Sequence, residues 1–155
     1  MITKGHECVS ACVMVLAGAA HRGIYGRVGI HRPFFELSIG SEPMTPDNMK
    51  INYQKMLQEI RAYLREVNVS ERLADDMLAI DPADVRYLSI NQLYDYGIKG
   101  VDPVEQETID LQAAQALGLD RREFMRREAV RKEQCLHETI EAMSACNERV
   151  MKLGR

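Results

Sequence analysis

Apolar residues run almost unbroken from Ala11 to Ala20, then fall into short groups, and finally into helical stripes; the change of rhythm divides the chain near Gly100. The first run is about half of the roughly 20 residues a bilayer span needs, so it reads as a buried helix. Tyr25 to His31 places Val28 and Ile30 on one face and His31 on the other, which predicts a strand. Pro33 then limits its extension. A helix is expected from Pro46, with Thr45 as N-cap and proline at the first helical position. Met49, Tyr53, Met56, Leu57, Ile60, Leu64 and Val67 keep the three-and-four spacing of one buried face.

Ser70 is expected to cap a short helix ending before Asp81-Pro82. Ser89-Ile-Asn-Gln92 has the spacing of a capping box, so another short helix opens there and stops at Gly97. Asp102 and Asp120 repeat the capping logic beyond the division, with a glycine joint at Gly118. The last helix carries Leu136, Ile140, Met143, Val150 and Leu153, as one piece or broken into two. No internal repeat and no low-complexity segment is present.

Composition narrows the function classes. Hydrophobic residues make up 46% of the 155 and charged residues 28%, an ordinary globular profile. The net charge of −3 and pI near 5.8 leave no footprint for nucleic acid or an anionic membrane. The arginines between Arg121 and Lys132 are interleaved with Glu123, Glu128 and Glu133, which reads as a salt-bridged helix face. The opening Met-Ile-Thr-Lys-Gly-His-Glu lacks the apolar core of a signal peptide, which taken literally implies the cytoplasm.

Cys8 and Cys12 stand four apart around Ser10. They read first as small packing residues, with a redox-active pair or one partner in a disulfide as the functional alternatives. On one continuous helix Cys135 and Cys146 would lie about 16 Å apart, beyond the roughly 7 Å bridging limit. They pair only if the tail folds into a hairpin. His6, His21 and His137 show no metal spacing with the cysteines, so neither a zinc site nor another cofactor is expected.

Candidate chemistry centres on Ser10, which opens the apolar helix. The unpaired first-turn amides and positive end of a helix stabilise negative charge beside such a serine. The Ala11 amide is placed to donate to an oxyanion. A helix from Ala11 to His21 climbs roughly 16 Å, and a strand from Tyr25 to His31 returns about 20 Å, so His31 can come back to Ser10. Alone, a serine in this position is more often only an N-cap.

Ser10-Ala-Cys, an apolar helix, Ala17-Gly18, a short basic turn and Gly29-Ile-His31-Arg-Pro33 together resemble the Clp protease proteolytic subunit. Arg86-Tyr-Leu-Ser89 followed by Leu93-Tyr-Asp-Tyr-Gly97-Ile98 is similar to a second segment of that family. The Cys-x-Ser-x-Cys variant resembles a group of bacterial Clp-like proteins often predicted to be periplasmic. The similarity covers roughly Gly5 to Gly100. It implies an α/β fold of the Clp/crotonase type over residues 1–100, with a helical extension over 101–155.

The resemblance further implies a serine peptidase acting on a peptide or protein substrate, with Ser10 as nucleophile and His31 as general base. The family's acid would fall at Val85. Asp84 is the candidate for orienting His31 and Asp81 the reserve, although a one-residue offset in a strand turns a side chain to the other face. Only nine residues precede Ser10, so the family's early strands and glycine-rich segment would be missing, as in an N-terminally truncated fold. Such a fold would lose an oxyanion donor, typically about 10²- to 10³-fold in rate, and expose a sheet edge. The helix from Pro46 to Val67 matches the family's subunit-joining handle and implies a homo-oligomer. The alternative is a catalytically inactive Clp-like oligomerisation or interaction domain, and a crotonase-type acyl-CoA enzyme is a weaker third.

Overall fold

The computed structural model describes residues 1–34, 45–136 and 139–154. The chain divides into two compact units, Met1–Asp102 and Pro103–Arg155. Among the described residues no helix is long and apolar enough to cross a membrane.

The first unit is mixed α/β with two small sheets. In chain order it contains β1 (Glu7–Val9), α1 (Ala11–Ala17), β2 (His21–Arg22), β3 (Arg27–Ile30) and α2 (Pro46–Glu66). There follow α3 (Arg72–Leu78), β4 (Arg86–Tyr87), α4 (Ile90–Asp95) and β5 (Gly100–Val101). One sheet has the order β1-β3-β4, with β1 and β3 parallel and β3 and β4 antiparallel; β2 and β5 form an antiparallel pair. The parallel register sets Cys8 beside Val28 and Val9 beside Gly29. Because β1 and β3 run the same way, α1 lies on the crossover between them, as a βαβ connection requires.

α1 forms because its apolar positions recur at helical spacing: Val13, Leu16 and Ala17 are buried while Val15 faces out. With Val28, Ile30, Leu64, Leu73 and Ile98 they make the core, and each fully buried aliphatic side chain contributes about 1.5–3 kcal/mol. Gly18 ends α1 where α2 comes close. A Cβ there would meet the Tyr63 hydroxyl at 2.5 Å, and that hydroxyl donates to the Met14 carbonyl.

The strand expected over Tyr25–His31 is only Arg27–Ile30. The Tyr25 and Gly26 amides instead donate to the Ile2 carbonyl, and a Cβ on Gly26 would come within 2.2 Å of the His6 carbonyl. The expected α2 stripe is buried only at its C-terminal end. Leu64 is fully covered and Ile60, Tyr63 and Val67 pack against the core, whereas Met49 is exposed. Thr45 caps α2, and the Ser89 capping box is complete, with both reciprocal bonds made. α3 begins one residue later than expected, because the Ser70 carbonyl accepts from Leu73 while Glu71 takes the cap position.

Sequence reading passed over Arg22, a charged residue buried in this unit. Its guanidinium donates to the carbonyls of Ala19 (2.9 Å), Gly97 (2.5 Å) and Val67 (2.7 Å) and pairs with Asp102 (2.9 Å). It therefore ties the loop after α1 to the ends of α2 and α4.

The second unit comprises α5 (Pro103–Ala116), α6 (Arg121–Gln134) and α7 (Ile140–Leu153). Gly118 turns the chain at φ +64, and Asp120 caps α6 by accepting from the Glu123 amide. The arginine-rich face is salt-bridged along the helix, with Glu123 paired to Arg126 and Arg127 and Glu128 to Arg131. Those two arginines hold the Glu123 carboxyl down to about 2. The last helix starts only at Ile140, capped by Thr139, so Leu136 lies outside it and is exposed. Ile140 and Leu153 also face out. The buried side is Cys135, Cys146 and Val150, because a disulfide joins Cys135 to Cys146 across the α6–α7 hairpin.

Candidate functional site

Ser10 is the single residue between β1 and α1, and its backbone is unlike that of the four side-chain-capped helix starts among the described residues. Thr45, Ser89, Asp120 and Thr139 have extended φ and ψ, and each side chain accepts from an amide of the first turn. Ser10 has φ 62 and ψ −131, and its side chain makes no capping bond. A non-glycine residue held there costs about 1–3 kcal/mol and persists only where the surroundings over-determine it. The N-cap explanation of Ser10 therefore fails. A sharp, strained strand-to-helix turn is also the geometry that presents a nucleophilic serine at the end of a sheet.

The surroundings that hold the turn include a covalent link. Cys8 in β1 and Cys12 in α1 form a disulfide with Cα atoms 5.3 Å apart. The expectation that they are simple packing residues is thus corrected. Spacing alone did not reveal the bond, since it depends on the chain reversing at Ser10. Closing so short a loop is worth about 2 kcal/mol, comparable with the cost of the Ser10 conformation.

His31 follows the last residue of β3 and is half-buried. Its Nδ1 lies 2.8 Å from the Arg32 carbonyl. A carbonyl only accepts, so Nδ1 carries the proton, and neutral His31 keeps Nε2 free as the basic nitrogen. The ring is further packed by Phe34, with centroids 5.7 Å apart.

Ser10 and His31 line one cleft of about 190 Å³, together with Ala11. Its walls are Met14, Pro33, Phe34, Ile60 and Met77. No hydrogen bond joins the serine to the imidazole among the described residues; such bonds commonly tighten only when substrate is present. Ala11 begins α1, and the first amides of a helix have no acceptor inside it.

Asp84 is not brought to this cleft. It is exposed, its amide donates to the Asp81 carbonyl, and the Asp81 carboxylate accepts from Ala83. The two aspartates belong to a tight turn before β4. Beyond that turn Val85 lies over Gly29, where a Cβ would approach its methyl to 2.8 Å. Among the described residues no carboxylate bonds the His31 ring, and the Arg32 carbonyl occupies the place an acid would take. No group of three or more metal-ligating side chains occurs among the described residues; His137 lies outside them.

Sequence reasoning also missed Met14, Ile60 and Met77 as walls of the cleft. Each lies on the core-facing side of a helix, indistinguishable by spacing from ordinary core. No family model, curated protein or solved structure matches the chain.

Proposed function

We propose that the protein is a serine hydrolase of Clp-like type, acting on peptide or other acyl substrates. The observation that carries this reading is the Ser10 backbone, held at φ 62 on a strand-to-helix turn beside the cleft it shares with His31. Ser10 Oγ attacks the carbonyl carbon, and His31 Nε2 takes its proton and returns it to the leaving group. The Ala11 amide donates to the oxyanion. The Arg32 carbonyl holds the imidazole in the required tautomer, so among the described residues the site is a Ser-His dyad. Unlike a carboxylate, a carbonyl brings no full charge to stabilise the imidazolium. Two disulfides and no free cysteine among the described residues suit an oxidising compartment, as the periplasmic resemblance implies.

An alkyl fluorophosphonate tests the reading. Labelling is expected on Ser10, abolished by Ser10→Ala and reduced at least about 10²-fold by His31→Ala, because the hydroxyl then has no base. Asp84→Asn and Asp81→Asn should label at the native rate, since neither side chain touches the imidazole. That no carboxylate bonds His31 among the described residues favours a second reading, a non-catalytic interaction domain, and absence of labelling would leave that one standing.

A further inference from the structure

The two disulfides differ in how a reductant can reach them. Cys135 and Cys146 are 4% and 5% exposed, so both halves of that bond are enclosed by the α6–α7 hairpin. In the bond that brackets Ser10, Cys8 is 0% exposed, but Cys12 is an exposed residue on the first turn of α1. Thiol–disulfide exchange requires a thiolate to approach a sulfur along the bond axis, so access decides which disulfide reacts and at which end.

We propose that the Cys8–Cys12 disulfide is a reversible redox clamp on the Ser10 turn, opened by a dithiol reductant and closed by reoxidation. The proposal rests on the reading of Ser10 as nucleophile. A reductant thiolate attacks Cys12 Sγ, and the sulfur–sulfur bond breaks with its electron pair leaving on Cys8 Sγ, which takes a proton. The second thiolate of the reductant then attacks its own sulfur in the mixed disulfide. Cys12 departs with that electron pair and takes a proton in turn. The protein gains two electrons and two protons, and the dithiol becomes a disulfide.

The consequence falls on Ser10. With the bond intact, φ 62 is enforced from both sides, by β1 in the sheet and by Cys12 in the helix. With it open, the turn is held by the pairing of Val9 with Gly29 and by the Val13 amide on the Ser10 carbonyl, and the serine side chain has no capping bond of its own. A residue in so unfavourable a region relaxes when its constraints are removed. The hydroxyl then leaves its position beside His31, and the Ala11 amide loses its aim.

The test is to treat the whole folded protein with dithiothreitol and follow both disulfides by maleimide mass-tagging and peptide mapping. Thiols are expected first at Cys8 and Cys12, while Cys135–Cys146 persists. Fluorophosphonate labelling of Ser10 should fall at least tenfold over the same interval and return after reoxidation. The double variant Cys8→Ala/Cys12→Ala should label at the reduced rate and ignore dithiothreitol; Cys135→Ala/Cys146→Ala should keep the full response. Equal reduction of both bonds, or unchanged labelling after Cys8–Cys12 opens, overturns the clamp. If the oxidised protein never labels, the hydrolase reading fails by itself, and amide exchange over residues 9–13 judges the clamp. Faster exchange on reduction then supports it, and unchanged exchange overturns it.

Discussion

Ser10 shows how one backbone angle separates two explanations of the same residue. An N-cap serine replaced by alanine costs about 1 kcal/mol, because an amide loses its acceptor. Here the side chain makes no such bond and the backbone sits where only glycine is at ease. Ser10→Gly should therefore raise stability by about 1 kcal/mol in urea unfolding while abolishing labelling, the mark of strain kept for function. Tyr96 offers a second residue-scale test. Its buried phenol donates to Asp76, and burial first, then that bond, pushes it up to about 12 from 10.0. The folded pKa is raised, so the contribution is complete below pH 10 and is lost as pH rises toward 12. Wild-type stability should fall over that window, and Tyr96→Phe should show no matching loss. Asp76, held low chiefly by the same hydroxyl, contributes above its ordinary 3.8 and loses that contribution as acid protonates it.

Elements in this protein depend unequally on their own sequences. α4 carries a complete capping box and needs little else to define its start. The α6–α7 hairpin instead depends on a cross-link, since away from Phe124 near the start of α6 its buried cluster is two cysteines and Val150 with Val130 packed against them. Arg127 adds one further tie, donating to the Met151 carbonyl at 2.6 Å. A loop of this length closed by a disulfide is worth about 3 kcal/mol. Cys135→Ala/Cys146→Ala should lose about that much, read as earlier loss of helix signal in urea. The partly exposed ion pairs along α6 contribute less each.

At the scale of the whole molecule, the Met1–Asp102 unit is locked by a polar residue inside an apolar core. Arg22 satisfies three carbonyls from separate loops and Asp102 together. Arg22→Met would take the ion pair from Asp102, whose carboxylate keeps the Asn68 amide, and the shared donor from those carbonyls; breaking such a buried pair costs about 3–5 kcal/mol. That loss should appear in urea unfolding followed by a probe in this unit.

The pattern of the chain determined what depends on neighbours in sequence. The caps at Thr45, Ser89 and Asp120, the turn at Gly118 and the placing of Ser10 before a helix all follow from local spacing and backbone preference, whereas α1, read as a buried helix to His21, stops at Ala17 and leaves Val15 exposed. Those preferences act over three or four residues, so a single sequence displays them. Tertiary structure alone decided the rest: the Cys8–Cys12 bond, the Arg22 network, the short β3 and the carbonyl that stands on His31 in place of Asp84. Each joins groups through space, and its energy depends on distances and exposures that no local pattern encodes. The chemistry of the cleft belongs to both levels. Residue types nominated Ser10 and His31, while the strained turn and the fixed tautomer came only from the folded chain.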